Sequence, residues 1–286
     1  MRGAAVSDLI SIIVSTYNRE DALDAVLRSL AGQSDRDFEV VVADDGSTAA
    51  TAAVIEAWRA KLGRRLEHVW QEDRGFRLAE IRNRAIMTAR GTYCIFLDGD
   101  CLVRPNFIAV HRRLAEPGWF VTGNRILLSA ALTSKVLREK LMPEGWNYAL
   151  WLAERWRGGI NRLSALLHLP LGVLRRLRQR QWRGARACNL AVWRADLDRV
   201  DGFDADYSGW GREDSDFIVR LLRAGVRRKD GTFATGVLHL WHAEADRSQL
   251  SANEDKLSNI VASDRVRAQR GISALLPAGA TTHAAG

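Results

Sequence analysis

The sequence predicts an α/β fold: a mostly parallel sheet flanked by helices, with a helical insertion. Three observations predict it. Through the first 125 residues, short apolar runs alternate with segments whose hydrophobic residues recur at helical spacing. The alternation resumes from Ala187. Several apolar runs stop abruptly at polar clusters, and the carboxyl ends of strands are where an open parallel sheet gathers its ligands.

Residues 9–14 form the first apolar run and lead into Thr16-Tyr17-Asn18-Arg19. Leu23, Val26, Leu27 and Leu30 make a helical stripe over 22–31, and Gly32 suits its C-terminal end. A buried strand over 38–43 runs into Asp44-Asp45-Gly46-Ser47, with Ser47 or Thr48 as N-cap of a helix over 49–62. A strand at 66–70 and a helix at 77–90 follow. The strand at 93–97 stops at Asp98-Gly99-Asp100. Pro105 opens another helix, where its missing N–H costs nothing, and 119–124 reads as a strand. Residues 126–186 are rich in Leu, Arg and Trp and read as a mostly helical insertion. Beyond them come the strand CNLAVW, a helix opening at GWGREDSD, and a last strand over 233–241 followed by His242. The expected organisation is therefore a first half (1–125), the insertion (126–186), a second half of the same domain (187–271) and a disordered tail (272–286).

The chain has 286 residues, 47% hydrophobic and 27% charged, which suits one large α/β domain and excludes wholesale disorder. No apolar run reaches the length of a transmembrane helix, and the N-terminal run is too short for a signal peptide. The three cysteines, Cys94, Cys101 and Cys188, match neither a disulfide framework nor a zinc spacing, so a cytoplasmic location is expected.

The net charge of +8 is concentrated. Between Glu154 and Arg186 there are nine arginines and one acid, and the rest of the chain balances. Leu163, Leu166 and Leu167, then Leu171, Leu174 and Leu177 after Pro170, recur at helical spacing with arginines turned away from them. This reads as a basic amphipathic helix pair lying peripherally on an anionic membrane surface through 155–186, or as a hairpin packed on the domain with a solvated basic face. No nucleic-acid-reading motif accompanies the charge, and Trp156 and Trp182 form no stacking ladder.

Three strand-end clusters should converge on one crevice. Asp98 and Asp100, two apart around a glycine, suit a hard cation such as Mg²⁺ or Mn²⁺ on a diphosphate. Asp45 can accept hydrogen bonds from a base or a ribose; a turn and N-cap alone would also account for it. Arg77, Arg82 and Arg84 either contact the ligand or are solvated helix arginines. In Gly209-Trp210-Gly211-Arg212-Glu213-Asp214 the glycines allow close approach, Trp210 offers a platform for a sugar ring, and the acids open a helix whose dipole favours them. A carboxylate there can act as general base on a hydroxyl. His239 and His242 can complete a cation site. Being three apart on an extended chain they should face different ways, so one of them is expected as ligand.

SIIVSTYNR, VVADDGS, RNRAI, FLDGD, GWGREDSD and HLWH, in that order, resemble the inverting family 2 glycosyltransferases with the GT-A-type, Rossmann-like fold. The C-terminal part is similar to galactosyl- and N-acetylgalactosaminyltransferases. The resemblance implies metal-dependent transfer from a nucleotide-sugar, usually a UDP-sugar, to a hydroxyl. It implies that Thr16, Tyr17, Asn18, Arg19, Asp45, Arg82 and Asp98 bind the donor, and that Asp98, Asp100 and one of His239 and His242 bind Mn²⁺ or Mg²⁺. It further implies that Asp214 is the base, and that Trp210, Gly211 and Glu213 hold the acceptor, expected to be a cell-envelope glycan, lipid-linked in the manner of lipopolysaccharide precursors. A nucleotidyltransferase would need a glycine-rich basic loop after the first strand, where STYNRED stands instead. A non-catalytic carbohydrate- or nucleic-acid-binding module would not need both an acidic metal pair and a second acidic pair far along the chain.

Overall fold

The computed structural model describes residues 9–244 and 246–276. The first seven elements follow the predicted alternation: β1 (Ile10–Thr16), α1 (Glu20–Ala31), β2 (Phe38–Asp44), α2 (Ala49–Leu62), β3 (Leu66–Trp70), α3 (Leu78–Thr88) and β4 (Tyr93–Asp98). There follow β5 (Cys101–Val103), α4 (Phe107–Leu114), β6 (Trp119–Thr122), β7 (Arg125–Leu127), α5 (Ala130–Arg138) and α6 (Tyr148–Trp156). The remainder is β8 (Asn189–Trp193), α7 (Arg194–Val200), α8 (Glu213–Arg223), β9 (Arg227–Asp230), β10 (Val237–His239) and α9 (Leu250–Ala262).

Seven strands form the main sheet in the order β3-β2-β1-β4-β8-β6-β9. Its β3-β2-β1-β4 half is parallel, and β8 runs antiparallel between β4 and β6. Of these, β1, β2 and β4 are buried on both faces, which is why they read as nearly unbroken apolar runs, whereas β3 at the sheet edge is only half-buried. Alternation along β1 sends Ile10, Ile12 and Val14 into one core and Ile13 into the other. The first core takes Leu23, Val26, Leu27 and Leu30 of α1. The second takes Ile81, Ala85 and Ile86 of α3 and Phe217, Ile218 and Leu221 of α8. A three-stranded sheet, β5-β10-β7, lies beyond the end of β4. Thr16 is level with Asp44, and Ser15 with Asp98, so three polar clusters share one sheet edge.

Several expectations need correction. The last strand is confined to Val237–His239, and Arg227–Asp230 is a strand of its own at the sheet edge. Its sequence, Arg-Arg-Lys-Asp, gives no apolar signal because Arg228 donates to the carbonyls of Gln181 and Arg183, and Lys229 to Leu114 O and the Glu116 carboxylate. The basic part of 126–186 is not an amphipathic helix pair. It holds two short 3-10 turns, Ser164–Leu166 and Gly172–Arg176. After Pro170 the sidedness is also inverted: Arg175 is buried and donates to the carbonyls of Leu169, Asp230 and Thr232, while Leu174 and Leu177 are exposed; before it, Leu166 faces the core as expected. Finally, the stretch read as a disordered tail begins with an ordered turn, Ile272–Leu275. Ile272 is buried and Ser273 bonds to the Asp201 carboxylate. Residues 277–286 of that predicted tail lie outside the described residues.

Candidate active site

The crevice is built where β1, β2 and β4 end. Thr16 closes β1; its hydroxyl is buried without a hydrogen-bond partner among the described residues, and its carbonyl accepts from Asp45 N at 3.0 Å. Tyr17 is half exposed and donates to Asp73 at 2.9 Å, a contact that raises its phenol pKa. Asn18 adopts a left-handed φ of 46°. Its backbone N–H donates to Ser47 Oγ and its side-chain oxygen accepts from Thr48 N, locking the β1 and β2 loops together. Arg19 is engaged locally with Asp21 at the start of α1.

Asp45 is buried under this loop. It accepts from Gln71 Nε2 at 2.6 Å and from Arg77 N at 2.8 Å, and burial raises its pKa. Gln71 and Asp73, on the loop after β3, carry no motif and were not found by sequence reasoning.

Arg82 is the centre of the site. It is buried on α3, with Nε 3.2 Å from Ser15 Oγ, one terminal nitrogen 3.2 Å from Asp98 and the other 3.2 Å from Glu213. One guanidinium fork therefore joins the end of β4 to the start of α8, with Arg82 and Glu213 131 residues apart in the chain. Burial, followed by the charge of Asp214, raises Glu213 from an ordinary 4.5 to about 7 against the pull of Arg82. Burial also raises Asp98. The neighbouring arginines pair elsewhere: Arg84 with Glu80 on the surface of α3 at 2.9 Å, and Arg77, just before that helix, with Glu80 at 3.3 Å.

Gly99 follows Asp98 because no side chain fits there: a Cβ would meet Ser15 O at 2.7 Å. The chain then turns Asp100 toward β10. His239 Nε2 lies 3.6 Å from Asp100 Oδ1 and His242 Nε2 3.4 Å from Asp100 Oδ2. The expectation that the two histidines face different ways is overturned. The strand stops at His239, so period-two alternation does not extend to residue 242, and both rings reach one carboxylate. Burial lowers the His239 pKa, favouring the neutral ring a cation needs. A carboxylate with two imidazoles is a fitting donor set for a divalent cation that also takes phosphate oxygens.

Trp210 stands partly exposed between two glycines of positive φ, with the Arg247 guanidinium 4.9 Å from its ring centre. Gly211, at φ 105°, holds a conformation that only glycine adopts easily. It delivers the chain to Glu213 and Asp214 in the first turn of α8. Asp214 is partly exposed and accepts from Ser215 Oγ at 3.4 Å. Glu213 and Asp98 thus meet on one arginine, Asp214 adjoins Glu213, and Asp100 adjoins Asp98 with its histidines.

The family model for glycosyl transferase family 2 matches residues 11–162, and that for the N-terminal domain of galactosyltransferase matches residues 175–243. A validoxylamine A glucosyltransferase from Streptomyces hygroscopicus subsp. limoneus is 31% identical over 268 residues, covering 87% of this chain and 56% of that protein. A chondroitin synthase from Pasteurella multocida is 30% identical over 228 residues, covering 76% of this chain and 23% of that protein. The chain therefore spans only part of the curated relatives it matches. Among solved structures, S. aureus TarS 1–349 in complex with UDP aligns at a TM-score of 0.60 and 18% identity, covering 93% of this chain and 68% of that one. A mannosyltransferase from Pyrobaculum calidifontis in complex with GDP-Man and Mn²⁺ aligns at 0.53 and 20% identity, covering 81% and 56%. At these identities the two structures support the fold.

Proposed function

This chain belongs to glycosyl transferase family 2, and on that premise we propose that it moves a sugar from a UDP-linked donor to a hydroxyl of a cell-envelope glycan, with inversion, by metal-assisted single displacement. The observation that carries the reading is the fork of Arg82, which ties the Asp98 end of β4 to the Glu213–Asp214 end of α8. A donor end and an acceptor end so joined suit one transfer.

Thr16, Tyr17, Asn18 and Asp45 line the pocket for the nucleobase and ribose, and the orphaned Thr16 hydroxyl is a ready hydrogen-bonding group there. Asp100, with His239 and His242, would hold the cation beside Asp98. A bound divalent cation supplies neutralisation of the charge that grows on the departing diphosphate. Asp214 takes the proton of the acceptor hydroxyl as the glycosidic bond forms. Glu213 and Trp210 position the acceptor, Trp210 as a stacking platform. One displacement inverts the anomeric centre, so no covalent intermediate is needed.

The test is UDP binding with and without Mn²⁺, beside transfer from a panel of UDP-sugars. Asp100→Asn is expected to abolish the gain in UDP affinity that Mn²⁺ gives the wild-type protein, leaving its metal-free binding as it was. A variant still showing the full gain would remove Asp100 from the cation site.

The acceptor is lipid-linked in this reading, and the basic segment docks on an anionic bilayer. What supports it is the turn Gly172–Arg176 and its neighbours: Val173, Leu174 and Leu177 are exposed beside the exposed Arg178, Arg180 and Arg183. Buried Arg175 anchors this tip to the domain. Each arginine near such a surface adds about 1 kcal/mol. Sedimentation with vesicles containing anionic lipid should capture the protein at low salt and release it at high salt. Arg178→Gln with Arg180→Gln should weaken capture about 25-fold. No capture at low salt would end the docking claim.

A further inference from the structure

Cys101 follows Asp100 directly and opens β5, where it sits opposite His239 in the antiparallel register with β10. Its Sγ lies 3.6 Å from Asp100 Oδ1, the same oxygen that His239 Nε2 approaches to 3.6 Å. One ligand atom from each of Asp100, Cys101 and His239 lies within 4.8 Å of the others. His242 faces the other Asp100 oxygen at 3.4 Å. The thiol is therefore gathered with the oxygen and nitrogen donors of the cation site.

A tetrahedral cation with bonds of about 2.0 Å to oxygen and nitrogen and about 2.3 Å to sulfur holds its neighbouring ligand atoms roughly 3.3–3.5 Å apart. The 3.6 Å separations of Cys101 Sγ and His239 Nε2 from one Asp100 oxygen are already close to that, and His242, 3.4 Å from the other oxygen, would turn to complete the set. Hard cations such as Mg²⁺ and Mn²⁺ make little use of sulfur, whereas Zn²⁺ and Co²⁺ accept it readily.

We propose that Cys101 is a metal ligand, and that Asp100, Cys101 and His239, with His242 as fourth donor, form a second binding mode of this site selective for thiophilic divalent cations such as Zn²⁺. The proposal rests on the reading that Asp100 and His239 hold a cation, and adds the sulfur. On binding, the thiol gives its proton to solvent and a metal–sulfur bond forms, with no redox change. With four protein donors engaged, no coordination position is left for a diphosphate oxygen. Zn²⁺ then holds the enzyme in a state that cannot take the donor as the Mn²⁺ form does, making transfer sensitive to free zinc.

Titration of the full chain with Co²⁺ in a non-thiol reductant reads the sulfur directly. The expected result is a thiolate-to-cobalt charge-transfer band in the near ultraviolet, saturating at one equivalent and removed by Zn²⁺. Cys101→Ser should lose the band, and its ratio of Zn²⁺ to Mn²⁺ affinity should fall about tenfold or more. Cys101→Ala, which places no hydroxyl in the core, should do the same, with melting curves checking that both variants fold. Cys188→Ser, at the buried thiol hydrogen-bonded with Cys101, should keep the band. A band that survives in both Cys101 variants, Co²⁺ binding without a band, or an equal loss of Zn²⁺ and Mn²⁺ affinity overturns the proposal. Asp100→Asn separates the two ideas. If that variant keeps full Mn²⁺-dependent UDP binding, the underlying cation reading fails; if Mn²⁺ dependence is lost but the wild type never shows the band, only the sulfur is wrong.

Discussion

Asp214→Asn is expected to lower the rate of sugar transfer by about 10²–10⁴ while leaving the affinity for UDP within a few-fold of the wild type. The range is that of a positioned general base. The substitution keeps the shape of the side chain and its place in the first turn of α8, but an amide cannot take a proton from the acceptor hydroxyl. Two features favour Asp214 over its neighbour for this task. Glu213 is buried and committed to Arg82 at 3.2 Å, and its pKa of about 7 reflects burial and the adjacent Asp214. Asp214 is partly exposed and, among the described residues, accepts a single long bond, from Ser215. Initial rates with a competent UDP-sugar, beside calorimetric UDP binding, give both numbers. Transfer at more than about a tenth of the wild-type rate would fall outside the range for a base and assign the proton to another group.

The strand ends were legible because parallel strands buried on both faces leave a clear apolar signature that stops where the ligand edge begins. Tyr93–Leu97 stops at Asp98, and Phe38–Ala43 at Asp44 and Asp45. What periodicity did not reveal was which polar residue faces inward. Arg77, Arg82 and Arg84 looked alike, yet only Arg82 shares the buried face of α3 with Ala79, Ala85 and Ile86, a three- and four-residue spacing that could have singled it out. The same ambiguity inverted the 171–177 segment. Its leucine spacing fits a helix face, but the carbonyls of Leu169, Asp230 and Thr232 need donors, and Arg175 supplies them from within. Strand β9 escaped because its buried Arg228 and Lys229 are satisfied by distant carbonyls that no local window contains. That both histidines, and not one of them, face Asp100 escaped for a shorter-range reason: alternation holds only as far as the strand, and β10 is three residues long. Gln71 and Asp73 owe their place to the loop after β3 and have no pattern to betray them.

Replacing Arg82 by methionine should destabilise the protein by about 3–5 kcal/mol, the cost of leaving buried charge without its partner. For a chain of this length that corresponds to a fall in melting temperature on the order of 10 °C. Two carboxylates lose one cation at once. Asp98 is 32% exposed at its side chain and can turn toward water, so most of the cost falls on Glu213, which is 11% exposed. Lysine should rescue little, because a single ammonium cannot hold Ser15, Asp98 and Glu213 in three directions as the guanidinium does. The sign of the pH dependence follows from the same geometry. Without Arg82 the Glu213 pKa rises further above 7, so at pH 6 the acid is protonated and the penalty shrinks, while at pH 8 it is largest. A double-mutant cycle with Glu213→Gln isolates this interaction: the pair of substitutions should cost less than the sum of the two, since no buried anion then remains at residue 213. Melting curves at both pH values decide it, and strictly additive, pH-independent losses would mean that Arg82 stabilises the fold through its packing against Phe203, 5.2 Å from that ring, rather than by joining the two acidic ends of the crevice.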